Sequence, residues 1–294
     1  MTLVVKIGGG AGIDAAPIVD EIARLVTEGE RVVLVHGGSQ LTNELSERLG
    51  HPMQVLTAPN GMTSRYTDAE TLRIYAMAVA GQINTELVAL LQRRGVNALG
   101  LAGVDGRLLL ARRKTALRAV MPDGRIRVVR DDYSGQIEQV NAPLLRLLLE
   151  AGYTPVVAPL ALGLEGERLN VDGDRVAAAI AAALGVETLA ILTNVPGLLR
   201  DLADPTSVVR VIAAPDLEEY LPYAQGRMRK KLLGAREALA GGVQRVCIGS
   251  SSLAALLAGD GTVITASVDL SEAGAASSSS SSSSIPALSG EVRR

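Results

Sequence analysis

Two short apolar runs end in clustered glycines. Leu3–Ile7 leads into Gly8-Gly9-Gly10 and Gly12, and Val32–Val35 leads through His36 into Gly37-Gly38. Each is followed by helical periodicity, so each reads as a strand, a tight glycine loop and a helix. Strands alternating with helices build a mainly parallel sheet covered on both faces, which restricts the chain to the α/β class. The first helix ends near Gly29, and the second opens with Ser39 as its N-cap and stops at Gly50-His51-Pro52. Thr67-Asp68-Ala69-Glu70 is a capping-box pattern that predicts a long helix to about Gly95. Strands are expected at Asn97–Leu101 and Thr154–Ala158. Between them, segments 106–112, 115–121 and 125–130 read as a meander turned by Pro122-Asp123-Gly124, followed by a helix over Gln139–Ala151. In the second half, Asn170–Asp174 opens an alanine-rich helix ending at Gly185. A strand Thr188–Thr193, a turn at 194–197, a basic helix from near Gly226, and strands Arg245–Gly249 and Thr262–Thr265 complete the pattern.

Composition excludes several classes. With 294 residues the chain has room for one large or two modest domains. Its single cysteine, Cys247, precludes an internal disulfide or a cysteine-cluster zinc site and reads as a small buried apolar residue. Two histidines leave no basis for a multi-histidine centre, so no protein-held metal is expected. Mean hydropathy is +0.26. Yet the longest uninterrupted apolar run, Val176–Leu184, has nine residues, against about 20 for a spanning helix. Lys6 and the glycines interrupt any signal-peptide pattern, and a cytoplasmic location is expected. After Ala266 the periodicity is lost and Ser277–Ser284 are all serine, so 267–294 reads as a disordered tail.

Net charge is −2, but its distribution is uneven. From Asp105 to Arg130 there are eight basic residues against Asp105 and Asp123, a local excess of +6. No aromatic residue interleaves these arginines for base stacking, so nucleic acid is not the expected partner.

Glycine loops at parallel strand ends let backbone N–H groups approach an anion, with the next helix dipole adding favourable field. A Walker P-loop is absent. Gly10-Ala11-Gly12-Ile13-Asp14-Ala15 satisfies G-x-G-x-x-A, but the second strand ends in Val35-His36-Gly37 where a dinucleotide fold needs an acidic residue. Two such loops at neighbouring strand ends, one preceded by Lys6, point to an anion site. The charged candidates are Lys6, Arg65, Asp174 and one of Lys230 or Lys231.

Six segments in order, VVKIGGG (4–10), VHGGS (35–39), NGMTSRYTDAETL (60–72), LNVDGD (169–174), LTNVPGL (192–198) and GRMRKKLLGA (226–235), resemble the amino-acid kinase family, in its acetylglutamate kinase branch. Ser64-Arg65-Tyr66-Thr67-Asp68 and Arg112–Ala116 make the chain most similar to kinases whose substrate is linked to a small acidic amino-group carrier protein. Those enzymes serve lysine, and in some cases arginine, biosynthesis. The resemblance implies a three-layer αβα sandwich. It assigns amino-acid binding and homodimerisation to an N-terminal lobe, 1–165, and ATP binding to a C-terminal lobe, 166–266.

The implied reaction is ATP-dependent phosphorylation of a side-chain carboxylate to an acyl phosphate. Carrier-linked 2-aminoadipate is the expected substrate, with carrier-linked glutamate beside it; free N-acetylglutamate is the alternative, and an inactive amino-acid-binding regulator a third reading. A carboxylate of pKa about 4 is ionised at neutral pH and needs no general base. Bringing it to an anionic phosphoryl group is a problem of positioning and charge neutralisation. By resemblance, Lys6 and Lys231 (the lysine of the G-x-M-x-x-K pattern) stabilise the phosphoryl, and Asp174 orients them. Gly8 and Gly9 contact ATP phosphates. Gly37, Gly38, Arg65 and Asn170 hold the amino-acid portion, Arg65 pairing with a carboxylate. Mg²⁺ is expected on the ATP phosphates, and His36 is read as structural. Arg112, Arg113, Lys114 and Arg118 are the expected carrier dock. The chain begins at its first strand, without the N-terminal helix of arginine-inhibited relatives, so arginine feedback is not expected.

Overall fold

A computed structural model describes residues 1–121, 123–250 and 252–266; the expected tail, its serine run and Pro122 of the expected turn lie outside the described residues. The strands are β1 (Thr2–Ile7), β2 (Arg31–His36), β3 (Val55–Thr57), β4 (Thr63–Arg65), β5 (Ala98–Ala102), β6 (Leu109–Arg113), β7 (Leu117–Val120) and β8 (Ile126–Val129). They continue with β9 (Gly135–Val140), β10 (Thr154–Ala158), β11 (Leu160–Gly163), β12 (Arg168–Asn170), β13 (Thr188–Leu192), β14 (Val211–Ala213), β15 (Arg245–Gly249) and β16 (Thr262–Thr265). The helices are α1 (Ala15–Thr27), α2 (Ser39–Arg48), α3 (Ala69–Ala76), α4 (Asn84–Gln92), α5 (Ala142–Glu150), α6 (Gly173–Leu184), α7 (Leu217–Tyr220), α8 (Gly226–Ala240) and α9 (Leu253–Leu257).

Eight strands form the main sheet in the order β14-β16-β15-β13-β1-β2-β10-β5, all neighbours parallel except β15 and β16. The central strands β1 and β2 are almost continuously buried, as expected of parallel strands covered on both faces. Their side chains alternate between two cores. Val4, Val33 and Val35 pack with Val176 and Ile180 of α6 and Leu232 of α8. Val5, Val32 and Leu34 pack with Ile22 of α1, Leu87 and Leu91 of α4 and Leu253 of α9. This is a three-layer αβα sandwich. Lys6 shares the parity of Val4 and so faces the α6/α8 layer.

Several local expectations are corrected. Ser39 is not the cap of α2. Gly38 holds that position, and the Ser39 hydroxyl donates to the Gly9 carbonyl at 2.8 Å. Asp68, not Thr67, caps α3, accepting from Thr71 N at 2.7 Å. The expected long helix runs Ala69–Gln92, with a π-helical stretch, Met77–Ile83, between α3 and α4. Its length and composition would allow it to cross a membrane, which a search for uninterrupted apolar runs misses. Here Tyr75, Val79, Leu87 and Leu91 are buried in the fold, and Asn84 bonds His36 and the Val156 carbonyl.

The expected meander does not exist as such. β6 pairs with β9 and β11 in a four-stranded sheet β12-β11-β6-β9, while the β7–β8 hairpin joins β3 and β4 in another, β4-β3-β7-β8. The helix expected from Gln139 starts at Ala142, because Gly135–Val140 pairs as β9 and Asn141 supplies the cap, accepting from Leu144 N. The strands β3, β4, β11, β12 and β14 are three or four residues long and carry no readable periodicity.

Candidate active site

Lys6, Asp174 and Lys231 meet at the carboxyl end of the main sheet. Lys6 is the penultimate residue of β1, which lies between β13 and β2. Asp174 is the second residue of α6, a helix capped by Asp172, whose Oδ1 accepts from the N–H groups of Asp174 and Arg175. Lys231 faces inward from α8, which packs along α6. Lys6 Nζ is 2.6 Å from Asp174 Oδ1, and Lys231 Nζ is 3.0 Å from Asp174 Oδ2. All three side chains are buried, with residue exposures of 5 to 6%. Lys230, the other candidate, instead lines a cavity of about 260 Å³ between 60–63 and 224–230.

Burial opposes the charge on Asp174, but the ammonium groups of Lys6 and Lys231 win and hold its carboxyl well below the usual carboxylate range. Burial also pushes the Lys231 ammonium down, against the pull of Asp174. One carboxylate between two lysines leaves an excess positive charge in a water-poor site. That suits an incoming anion and leaves Asp174 no capacity as a base.

The two glycine loops pack backbone to backbone. A Cβ on Gly9 would stand 2.1 Å from Gly38 N, and a Cβ on Gly37 would stand 2.5 Å from Gly9 N. Only glycine permits this approach. Gly8 N–H donates to the Leu192 carbonyl at 3.0 Å, and Gly37 N–H donates to Ile7 at 2.9 Å. Those two amides are therefore spent on the fold. Among the described residues, the N–H groups of Gly9, Gly10 and Gly38 meet no protein acceptor.

His36 is buried beneath the second loop, and burial pushes its imidazole down to about 4. A carbonyl can only accept, so Nδ1 carries the proton shared with Gly37 O, and Nε2 accepts from Asn84 Nδ2 at 3.1 Å. His36 is a neutral, fully bonded structural group.

Arg65 ends β4, half-buried. Its guanidinium touches Met53 Sδ and donates to the Ser39 carbonyl at 3.2 Å and to Asn43 Oδ1 at 2.8 Å. Among the described residues it has no carboxylate partner. Asn170, on β12, donates from Nδ2 to Thr67 Oγ1 at 2.9 Å and from its backbone to the Tyr133 carbonyl at 2.9 Å.

Sequence reasoning missed the residue that ties these parts together. Asp132 is fully buried, and its two carboxylate oxygens accept from Thr67 N at 2.9 Å and Ser134 N at 2.7 Å. Tyr133 N donates back to Thr67 O at 2.7 Å. The strap 131–134 thus links the chain after Arg65 to Asn170. The adjacent acids Asp131-Asp132 were the only available signal.

The expected dock is divided by the fold. Arg112 pairs with Glu138 across β6 and β9 at 2.6 Å. Arg113 stacks on Tyr133, 3.8 Å from the ring centroid, and donates to the Asp132 carbonyl at 2.8 Å. Both arginines are therefore already engaged within the chain. Lys114 is exposed in the combined field of Arg175, Lys230, Asp132 and Asp172. Arg118 is exposed on β7 with no ion pair among the described residues.

A mainly parallel sheet with paired glycine loops and a buried lysine–aspartate–lysine cluster at its carboxyl end makes an α/β fold with a candidate anion site. A sequence profile of the Amino acid kinase family matches residues 1–250. The chain belongs to this family. It is 50% identical over 267 residues to the [LysW]-aminoadipate kinase of Deinococcus radiodurans, covering 90% of this chain and 91% of the relative. It is 48% identical to the protein of the same name from Thermus thermophilus, covering 89% and 99%. The acetylglutamate kinase of Methanopyrus kandleri is 39% identical, covering 89% and 99%. Among solved structures, smu.665 from Streptococcus mutans superposes with a TM-score of 0.72 at 25% identity, covering 90% of this chain and 99% of that one.

Proposed function

We propose that this chain transfers the γ-phosphoryl group of ATP to the side-chain carboxylate of 2-aminoadipate linked to a LysW-type carrier protein. The substrate oxygen attacks phosphorus, the bond to the β–γ bridging oxygen breaks, and an acyl phosphate and ADP result. Carrier-linked glutamate is the second substrate to test. The observation that carries this reading is the buried Lys6–Asp174–Lys231 centre beside two glycine loops. Relatives near 50% identity, named for LysW-linked aminoadipate, support its substrate. The lower identity to a named acetylglutamate kinase makes the free acetylated substrate the alternative.

In this mechanism Lys6 and Lys231 neutralise charge on the transferring phosphoryl from two sides, and Asp174 fixes both ammonium groups. The carboxylate nucleophile arrives ionised, so no residue removes a proton. The free amides of Gly9 and Gly10 face the phosphates. Arg65 receives a substrate carboxylate, flanked by Gly38 and Asn170. Mg²⁺ would be carried on the nucleotide phosphates and neutralise their charge. Both oxygens of Asp174 face lysines, so that carboxylate is engaged within the chain, while Oδ1 of Asp172 caps α6.

We assign residues 1–165 to the carboxylate substrate and 166–266 to the nucleotide. We also propose a homodimer through the N-terminal half, where the edge strand β5 and the α3–α4 face enclose a cavity of about 640 Å³ lined by Ala76, Ala80, Gly100 and Ala102. Light scattering tests the dimer, which a monomer mass would overturn. Lys6→Ala and Lys231→Ala test the mechanism. Each is expected to lower kcat at least 100-fold, and activity within threefold of wild type in either would refute it.

A further inference from the structure

The β7–β8 hairpin carries apolar side chains on both faces, with one arginine on each, Arg118 and Arg127. Leu117, Ala119 and Val129 point inward, half-buried or buried. On the other face Arg118 lies opposite Val128, and Val120 opposite Ile126. The three apolar members of that outer face are 36 to 49% exposed. Antiparallel sheets ordinarily turn polar side chains to water on one face, and a contiguous exposed apolar strip marks a contact surface.

Register joins this strip to the substrate subsite. Val120 lies opposite Thr57 on β3, and two residues along β3, Val55 lies opposite Arg65 on β4. Directly opposed residues in an antiparallel pair share a face, so one continuous sheet face runs from Arg65 to Arg118 and Val128. At strand spacings of about 4.8 Å and about 3.3 Å per residue, its two ends are about 20 Å apart. A substrate linked to a carrier needs such an arrangement, with the carrier seated outside and the linked carboxylate reaching inward.

The charge fits the same partner. Arg118 is exposed on this face, and Arg125 and Arg130 are exposed at the two ends of β8, while Arg127, opposite Ala119, lies on the other face; Asp123 stands 3.9 Å from Arg125. Arg112 and Arg113, by contrast, are engaged within the chain. Arginines around apolar side chains form the composition of interface cores.

We propose that the outer face of the β7–β8 hairpin, Arg118, Val120, Ile126 and Val128, is the docking surface for the acidic carrier protein. This rests on the reading that the substrate is carrier-linked. The apolar strip supplies salt-insensitive affinity, and the arginines supply steering and salt dependence.

The test is titration of fluorescently labelled LysW carrying 2-aminoadipate at low and high salt. Ile126→Ser/Val128→Ser is expected to weaken Kd at least tenfold at both salt concentrations, leaving the salt slope unchanged. Arg118→Ala is expected to weaken binding and flatten the slope. Hydrogen exchange on the unaltered chain should show protection across 117–129 when the carrier is added. Wild-type turnover of carrier-linked substrate, with the serine variant binding within twofold of wild type and 117–129 unprotected, would overturn the docking surface alone. A wild-type chain that neither binds the carrier nor phosphorylates its cargo, yet phosphorylates free N-acetylglutamate, would overturn both readings.

Discussion

Replacing Asp174 by asparagine keeps the shape of the side chain and removes the one carboxylate that, among the described residues, contacts Lys6 and Lys231. Two ammonium groups at 5% exposure would then face each other without a counter-charge. Breaking a buried ion pair by removing one partner costs about 3–5 kcal/mol. In a domain of this size that corresponds to a Tm fall of roughly 10 °C. The lysines would also lose their orientation, for which misplacement alone costs about 100-fold in rate. Thermal unfolding by circular dichroism and hydroxylamine trapping of the acyl phosphate read the two effects separately. The acid limb of stability should change as well. Wild type loses stability as pH falls from the unfolded carboxylate value of 3.8 toward the depressed folded one, and Asp174→Asn lacks that loss. A variant melting within 2 °C of wild type, with kcat within twofold, would show that Asp174 neither balances nor orients the two lysines.

Three further perturbations follow from the same geometry. His36 is neutral in the fold, with a pKa of about 4 against 6.5 unfolded, so the unfolded chain binds the extra proton and stability falls as pH drops from 6.5 to 4. The full loss is about 3 kcal/mol, and urea unfolding across that window should show a shallower slope in His36→Gln. Gly9→Ala places a methyl group 2.1 Å from Gly38 N, so the loops must separate. Overpacking of about 1–3 kcal/mol should appear as a lower Tm together with a raised KM for ATP. In Asp132→Asn, one carboxylate oxygen that accepts an N–H becomes an NH₂ facing a donor. The strap should loosen and raise KM for the carboxylate substrate about tenfold or more, while KM for ATP stays within twofold in steady-state kinetics.

The large elements were legible because their signals are local. β1 and β2 are apolar runs closed by glycines, and two of those glycines, Gly9 and Gly37, are required where the loops meet backbone to backbone. Lys6 was conspicuous as a charge on an apolar strand, whereas choosing Lys231 over Lys230 from residues alone was impossible, since adjacent helix positions point about 100° apart and only α6 decides which is inward. The short hairpin β3–β4 was illegible because three residues carry no period. The polar strand β9 carries no local signal, and its last two residues, Gln139 and Val140, read as the start of the next helix because the pairing with β6 is non-local. The roles of Arg112, Arg113 and Asp132 were hidden for a related reason. Their partners, Glu138, Tyr133 and the amide of Thr67, are set by register and strap geometry rather than by neighbouring sequence.

Phosphoryl transfer to a carrier-linked carboxylate at the Lys6–Asp174–Lys231 centre is best tested by ATP-dependent hydroxamate formation with LysW-linked 2-aminoadipate, LysW-linked glutamate and free N-acetylglutamate side by side. Turnover is expected only with the carrier-linked substrates, and is expected to be lost in Lys6→Ala and Lys231→Ala. Efficient turnover of free N-acetylglutamate, or unimpaired transfer without either lysine, would contradict that expectation.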